Sequence, residues 1–127
     1  MAKAILWIFG LITLGFGVWS FLAPMDAAGL VQYGLGSPAA VTEMRAFYGG
    51  LEIGIAIFWI MAAMRPRMIN AGLISMICVW GGVALARGAG MLLDGSASTA
   101  MAVILAFEAL GAVLGLVALK RSSANLL

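Results

Sequence analysis

Hydrophobic residues form four long runs along the chain, separated by short stretches rich in proline, glycine, serine and charge. Each run approaches the roughly 20 residues that an α-helix needs to cross the hydrocarbon core of a bilayer. The pattern therefore predicts an all-α protein, a four-helix transmembrane bundle. We expect one integral membrane domain over residues 1–127, with helices at about 4–22, 38–64, 68–93 and 98–119.

The ends of these runs carry recognisable stop and start signals. Ser37-Pro38 opens the second run, since serine is a good N-cap and proline suits the first helical position. The first run ends at Ala23-Pro24, which is a poor context for signal-peptide cleavage. It is also longer than the apolar region of a typical signal peptide, so we interpret it as a retained helix.

The basic residues are distributed unevenly between the two ends of the predicted bundle. Those outside the helices lie at the N-terminus, in the second loop and at the C-terminus: Lys3, Arg65, Arg67, Lys120 and Arg121. The first and third loops contribute Asp26 and Asp94 but no lysine or arginine. Under the positive-inside rule, this asymmetry predicts that the N-terminus and the C-terminus are both cytoplasmic.

The first loop, residues 23–36, is the only long connection between the predicted helices. It combines a capping aspartate with apolar residues, which is consistent with a short interfacial helix or a re-entrant turn. Trp7, Trp19 and Trp59 lie near helix ends, so we expect interface anchoring in preference to ligand stacking.

The composition supports a membrane location and excludes several function classes. Hydrophobic residues make up 65% of the chain and charged residues 9%, and the mean hydropathy is +1.15. A soluble domain carries about 25% charged residues. The few basic residues are dispersed, so the net charge of +2 does not predict nucleic-acid binding. With no histidine, and with Cys78 as the one cysteine, we predict no metal site and no cofactor.

Three ionisable side chains interrupt the apolar runs: Glu52, Arg87 and Glu108. A charge at membrane depth costs about 2.5 kcal/mol or more, so it is usually kept for pairing, binding or conduction. With a helix rise of about 1.5 Å per residue, both glutamates lie about 10–16 Å below the outer helix ends, and Arg87 about 10 Å. The sequence therefore predicts one charged cluster in the outer half of the bundle.

Neighbouring residues extend this candidate site. Arg45, Tyr48 and Glu52 recur at three- and four-residue steps and share a helix face. We expect one carboxylate to be ionised against Arg87, and the other to be protonated or paired with Arg45. Tyr48 is expected to hydrogen-bond within the cluster. Supporting positions, with capping or solvated roles for the two acids, are Glu43, Gly49 and Asp94.

Two functions fit this pattern. The first is binding or transport of a small polar or amphipathic ligand, or of a proton, through the outer-half cluster. The alternative is an accessory or structural subunit of a homo-oligomer or larger membrane complex, in which the charges hold helices together. The glycine pairs Gly50/Gly54 and Gly111/Gly115 permit close helix packing, within this chain or with another. An enzyme ranks behind both, because no nucleophile–base arrangement is present.

Three motifs carry a resemblance to a known family: EMRAFYGGLEIG at residues 43–54, RPR at 65–67 and ALARGAGMLLDG at 84–95. The chain resembles the domain-of-unknown-function 4345 family of small bacterial four-helix membrane proteins over nearly its whole length. It is similar only loosely, in size and helix count, to DoxX-like membrane proteins. The resemblance implies a multi-pass protein of the bacterial inner (cytoplasmic) membrane and brings no activity. It marks Glu43, Arg45, Tyr48, Gly49, Gly50, Glu52, Gly54, Arg87, Asp94 and Gly95.

Overall fold

The computed structural model describes residues 1–124, and within that range it is built from five helices. They are α1 (Ala2–Leu22), α2 (Pro24–Gly29), α3 (Pro38–Met64), α4 (Pro66–Leu93) and α5 (Thr99–Ala124). All except α2 are long and apolar enough to cross a membrane. The predicted all-α architecture is therefore confirmed for the described residues, which include four helices of sufficient length and hydropathy to span a membrane.

Helix α3 changes its winding along its length. It is α-helical over Pro38–Met44, a π-helix over Arg45–Leu51 and α-helical again over Glu52–Met64. Its start follows the predicted cap, because the Ser37 Oγ accepts a hydrogen bond from the backbone N–H of Ala40 at 3.2 Å. Helix α4 opens with a 3₁₀ turn over Pro66–Met68 before continuing as an α-helix.

The first loop contains the short helix α2, one of the two alternatives that the sequence left open. Pro24 begins this helix, and Asp26 lies in its first turn. A negative charge at this end of a helix interacts favourably with the helix dipole. Ala27 and Ala28 are buried against Met44 of α3, and Leu35 packs against the same cluster. The loop thus folds over the N-terminal part of α3, close to the start of the π-helix.

Close helix packing occurs in two antiparallel pairs, α1 with α3 and α4 with α5. A Cβ placed on Gly17 would lie 3.0 Å from the Cβ of Glu52. A Cβ on Gly115 would lie 3.0 Å from the Cγ1 of Ile77. The Gly111/Gly115 pair therefore packs within this chain, whereas a Cβ on Gly54 would meet nothing within 4 Å.

The two pairs meet around a cluster of aromatic rings. Phe9 of α1 lies 6.0 Å from Trp80 of α4 and 5.4 Å from Phe107 of α5, measured between ring centroids. Trp59 of α3 lies 6.2 Å from Trp80, and its Nε1–H donates to the Oγ of Ser75 at 2.9 Å. Because the Trp59 side chain is fully buried, the interface role predicted for it is wrong.

Gly72→Ala tests this packing directly. The added Cβ would lie 2.6 Å from the Cβ of Ala62, and neither group can rotate away, so α3 and α4 must separate. We expect a loss of about 1–3 kcal/mol in the free energy of unfolding, measured by denaturant titration in micelles. Gly54→Ala is the matched control and should be neutral or slightly stabilising, because its Cβ enters open space. Equal effects at the two positions would contradict the packing described.

Candidate functional site

Arg87 of α4 and Glu108 of α5 form a bidentate ion pair. The Nε–H of Arg87 donates to Oε2 of Glu108 at 2.8 Å, and its NH2 donates to Oε1 at 2.6 Å. The Glu108 side chain is 4% exposed and that of Arg87 23% exposed. Paired parallel hydrogen bonds of this kind are the strongest geometry open to a guanidinium and a carboxylate. The pair joins α4 to α5 and contains two of the three ionisable residues of the predicted cluster.

The remaining contact of the guanidinium also goes to α5. The NH1 of Arg87 lies 3.5 Å from the sulfur of Met101, which is a weak acceptor. Met101 is two turns before Glu108, so the arginine lies along one stripe of α5. Both carboxylate oxygens of Glu108 and most donors of Arg87 are therefore occupied by this one helix pair.

Glu52 is the unpaired member of the predicted cluster. It is half-buried in α3, directly after the π-helix, with its Cβ against Gly17 of α1. Within residues 1–124 its carboxyl group has no hydrogen bond and no ion pair. The structure thus leaves Glu52 without a cation in the described part of the chain.

Arg45 does not supply that cation. Its NH1 donates to the backbone carbonyl of Phe21, and its guanidinium carbon lies 5.6 Å from the centre of the Phe21 ring. The last carbonyls of a helix lack partners within the helix, so a cation at this position caps α1. The alternative in which Arg45 pairs with a glutamate is therefore not what the structure contains.

The other predicted residues make no hydrogen bond to the ion pair. Tyr48 is 47% exposed, and its hydroxyl has no hydrogen bond within the described chain. Gly49 is buried. A side chain at this position would collide with α1, because a Cβ there would lie 2.9 Å from the Cβ of Phe21. Glu43 and Asp94 are exposed; the backbone N–H of Asp94 ends α4 by donating to the Gly90 carbonyl at 2.8 Å.

The π-helix is the feature of the site that sequence reasoning missed. Its i→i+5 bonding places Met44 and Gly49, five residues apart, among the buried residues. A strict 3.6-residue period does not align these two positions. Nothing in the residue types of this run distinguishes a π-turn from an α-turn, although π-bulges are frequent at functional sites.

Within residues 1–124, no three side chains of the types His, Cys, Asp and Glu come together in a way that would hold an ion. The acids of the site are instead divided between one that is paired with arginine and one that is not.

Fold and site together define a small all-helical protein with four helices capable of spanning a membrane and one buried ion pair between two of them. The chain belongs to the family described as Domain of unknown function (DUF4345), whose model matches residues 1–119. No curated protein and no solved structure matches the chain at a significant level.

Arg87→Gln tests the ion pair. Removing the guanidinium leaves the buried carboxyl of Glu108 without its partner, and we expect a loss of about 3 kcal/mol in the free energy of unfolding. The double variant Arg87→Met with Glu108→Met should recover most of this loss, because no charge is left unpaired. Denaturant unfolding in micelles measures both. Arg67→Gln, at an exposed arginine, is the control, and an Arg87→Gln variant no less stable than it would refute the assignment.

Proposed function

We propose that this protein binds a small polar or amphipathic ligand, or a proton, through the carboxyl group of Glu52 in the outer half of the bundle. The observation that carries the proposal is that Glu52 is half-buried in a spanning helix and has no partner within residues 1–124. Ionisable groups at membrane depth are usually paired or functional. The neighbouring Arg87–Glu108 pair occupies the arginine that would otherwise neutralise Glu52.

The charge balance supports one class of ligand over the others. The Arg87–Glu108 pair is neutral as a unit, so the surplus group is a single carboxyl. A carboxylate accepts hydrogen bonds and attracts cations, while a carboxylic acid both donates and accepts. An ammonium or hydroxyl group therefore fits Glu52 better than an anionic headgroup, which would need a free arginine.

The side of access follows from the loops. We place both termini in the cytoplasm, and the chain in the bacterial inner membrane, on the strength of the basic residues at one end of the bundle. In this orientation Glu52 lies against Gly17, five residues before the external end of α1, so a ligand would reach it from outside the cell or from the outer leaflet.

The alternative role, an accessory or structural subunit, has its own supporting observation. Gly50 and Gly54 of α3 line an apolar groove of about 350 Å³ together with Phe58 and Val79, and Gly54 is open to its surroundings. Small residues spaced by four on a membrane helix allow another helix to approach closely. In this alternative the Arg87–Glu108 pair serves only to hold α4 against α5, and Glu52 has no role of its own.

A ligand panel separates the two roles. We expect an n-alkylamine to raise the melting temperature of the wild-type protein by several degrees, and an n-alkyl phosphate of equal chain length to do less. A ligand at ~100 times its Kd stabilises the folded state by about 2.7 kcal/mol. Glu52→Gln should abolish the shift, whereas Glu43→Gln, at an exposed acid of the same helix, should retain it. Equal shifts in wild type and Glu52→Gln would refute the ligand role.

Topology is tested by thiol labelling in intact cells. In a Cys78→Ala background, Ser96→Cys in the third loop should react with a membrane-impermeant maleimide added outside. Arg67→Cys in the second loop should react only after the cells are opened. The two positions lie at opposite ends of α4, so the reverse pattern would invert the proposed orientation.

A further inference from the structure

Two buried hydroxyl groups in α1 have no hydrogen-bond partner. Thr13 is 2% exposed and Ser20 is fully buried, and neither Oγ1 of Thr13 nor Oγ of Ser20 is bonded within the described chain. Leaving a buried polar group unsatisfied costs about 1–3 kcal/mol, so each such group requires an explanation. In most buried cases the partner is protein or ordered water.

Both hydroxyls lie on the face of α1 that packs against α3. Gly10 and Gly17 define this face, because a Cβ on Gly10 would meet Ile60 at 2.9 Å and one on Gly17 would meet Glu52 at 3.0 Å. Thr13 lies between the two glycines and Ser20 lies one turn beyond Gly17, at helical spacings that keep them on the same stripe. The hydroxyls therefore lie one turn to either side of the point where α1 touches Glu52.

Glu52 lies between the levels of the two hydroxyl groups. Its Cβ contacts Gly17, and one turn earlier in α3 Gly49 packs against Phe21, the residue after Ser20. The α1–α3 contact therefore runs from the level of Thr13, past Glu52, to the level of Ser20.

We propose that water molecules bind between α1 and α3 at the hydroxyl groups of Thr13 and Ser20, on either side of Glu52 and separate from the Arg87–Glu108 ion pair. Thr13 and Ser20 are about 10 Å apart along α1, so each hydroxyl group has its own water. Three groups that each need a hydrogen-bond partner lie along one contact, and a water molecule can donate to a carboxylate while accepting from a hydroxyl. This hydration is what allows an acid without a cation to remain at membrane depth. It also gives Glu52 an aqueous neighbour with which to exchange a proton. The site does not depend on any ligand of the proposed function.

Water-edited solid-state NMR in lipid bilayers is the first test. Magnetisation transferred from water should reach the side-chain carbons of Thr13 and Ser20 several times faster than those of Ile12. Ile12 is the matched control, because it is on the same helix and exposed on the apolar surface of the bundle. Transfer to Thr13 and Ser20 that is no faster than transfer to Ile12 would overturn the proposal.

A double-mutant cycle then tests whether Glu52 shares these waters. Thr13→Val and Ser20→Ala should each lower the melting temperature by about 2–6 °C in the wild-type background. In the Glu52→Met background each should lower it by less than half as much, because the water at each hydroxyl group has lost Glu52 as a partner. Thr13→Ser, which retains the hydroxyl, should keep the coupling to Glu52.

Thr42→Val serves as the additive control, since the Thr42 hydroxyl donates to the Pro38 carbonyl at 3.1 Å, away from Glu52. If deleting the hydroxyl groups leaves the melting temperature unchanged or raises it, these groups bind no water. If each deletion lowers the melting temperature equally with and without Glu52, the hydroxyl groups bind a partner that Glu52 does not share. Either result overturns the proposal, and neither bears on whether an alkylamine binds at Glu52.

Discussion

The bidentate bond between Arg87 and Glu108 is the interaction on which the rest of the site depends. A buried carboxylate at membrane depth needs a cation, and Arg87 offers one guanidinium with a fixed arrangement of donors. Because Glu108 takes two parallel hydrogen bonds from it, little remains for a second acid. The pairing fixes α4 against α5 and, by the same geometry, determines that Glu52 is left over. The paired and the unpaired carboxyl groups thus lie on different helices, α5 and α3.

Helix packing explains how Glu52 is held against α1. Gly17 lets α1 approach the backbone of α3 beside Glu52, and Gly49 does the same against Phe21. Arg45 caps the end of α1 through the Phe21 carbonyl, which anchors the π-helical part of α3. The π-helix ends at Leu51, the residue before Glu52, so the change in winding affects the direction in which the Glu52 side chain projects from α3. Local backbone geometry and interhelical contact therefore position the acid without bonding to it.

The fold was largely predictable from sequence, because four apolar runs bounded by proline, glycine and charge admit few alternatives. The pairing of Arg87 with Glu108 was also accessible, since both charges were expected at similar depth. The division of roles between the two acids was not, because helical spacing gives depth and facing but not which of two carboxylates a guanidinium reaches. The contact of Arg45 was not predictable for a related reason: its partner is a backbone carbonyl, which residue types do not reveal. The π-helix and the unsatisfied hydroxyls of Thr13 and Ser20 depend on packing between α1 and α3 that periodicity alone does not supply.

Arg87 pairs with Glu108 and, within residues 1–124, leaves Glu52 without a cation. Solid-state NMR can test this pairing directly by measuring carbon–nitrogen distances in bilayers. The protein is labelled in its arginine side chains and glutamate carboxyl groups. We expect a short distance between the Arg87 guanidinium and a glutamate carboxyl carbon that is unchanged in Glu52→Gln and lost in Glu108→Gln. A contact that disappears in Glu52→Gln and survives Glu108→Gln would contradict it, since Arg87 would then be the partner of Glu52.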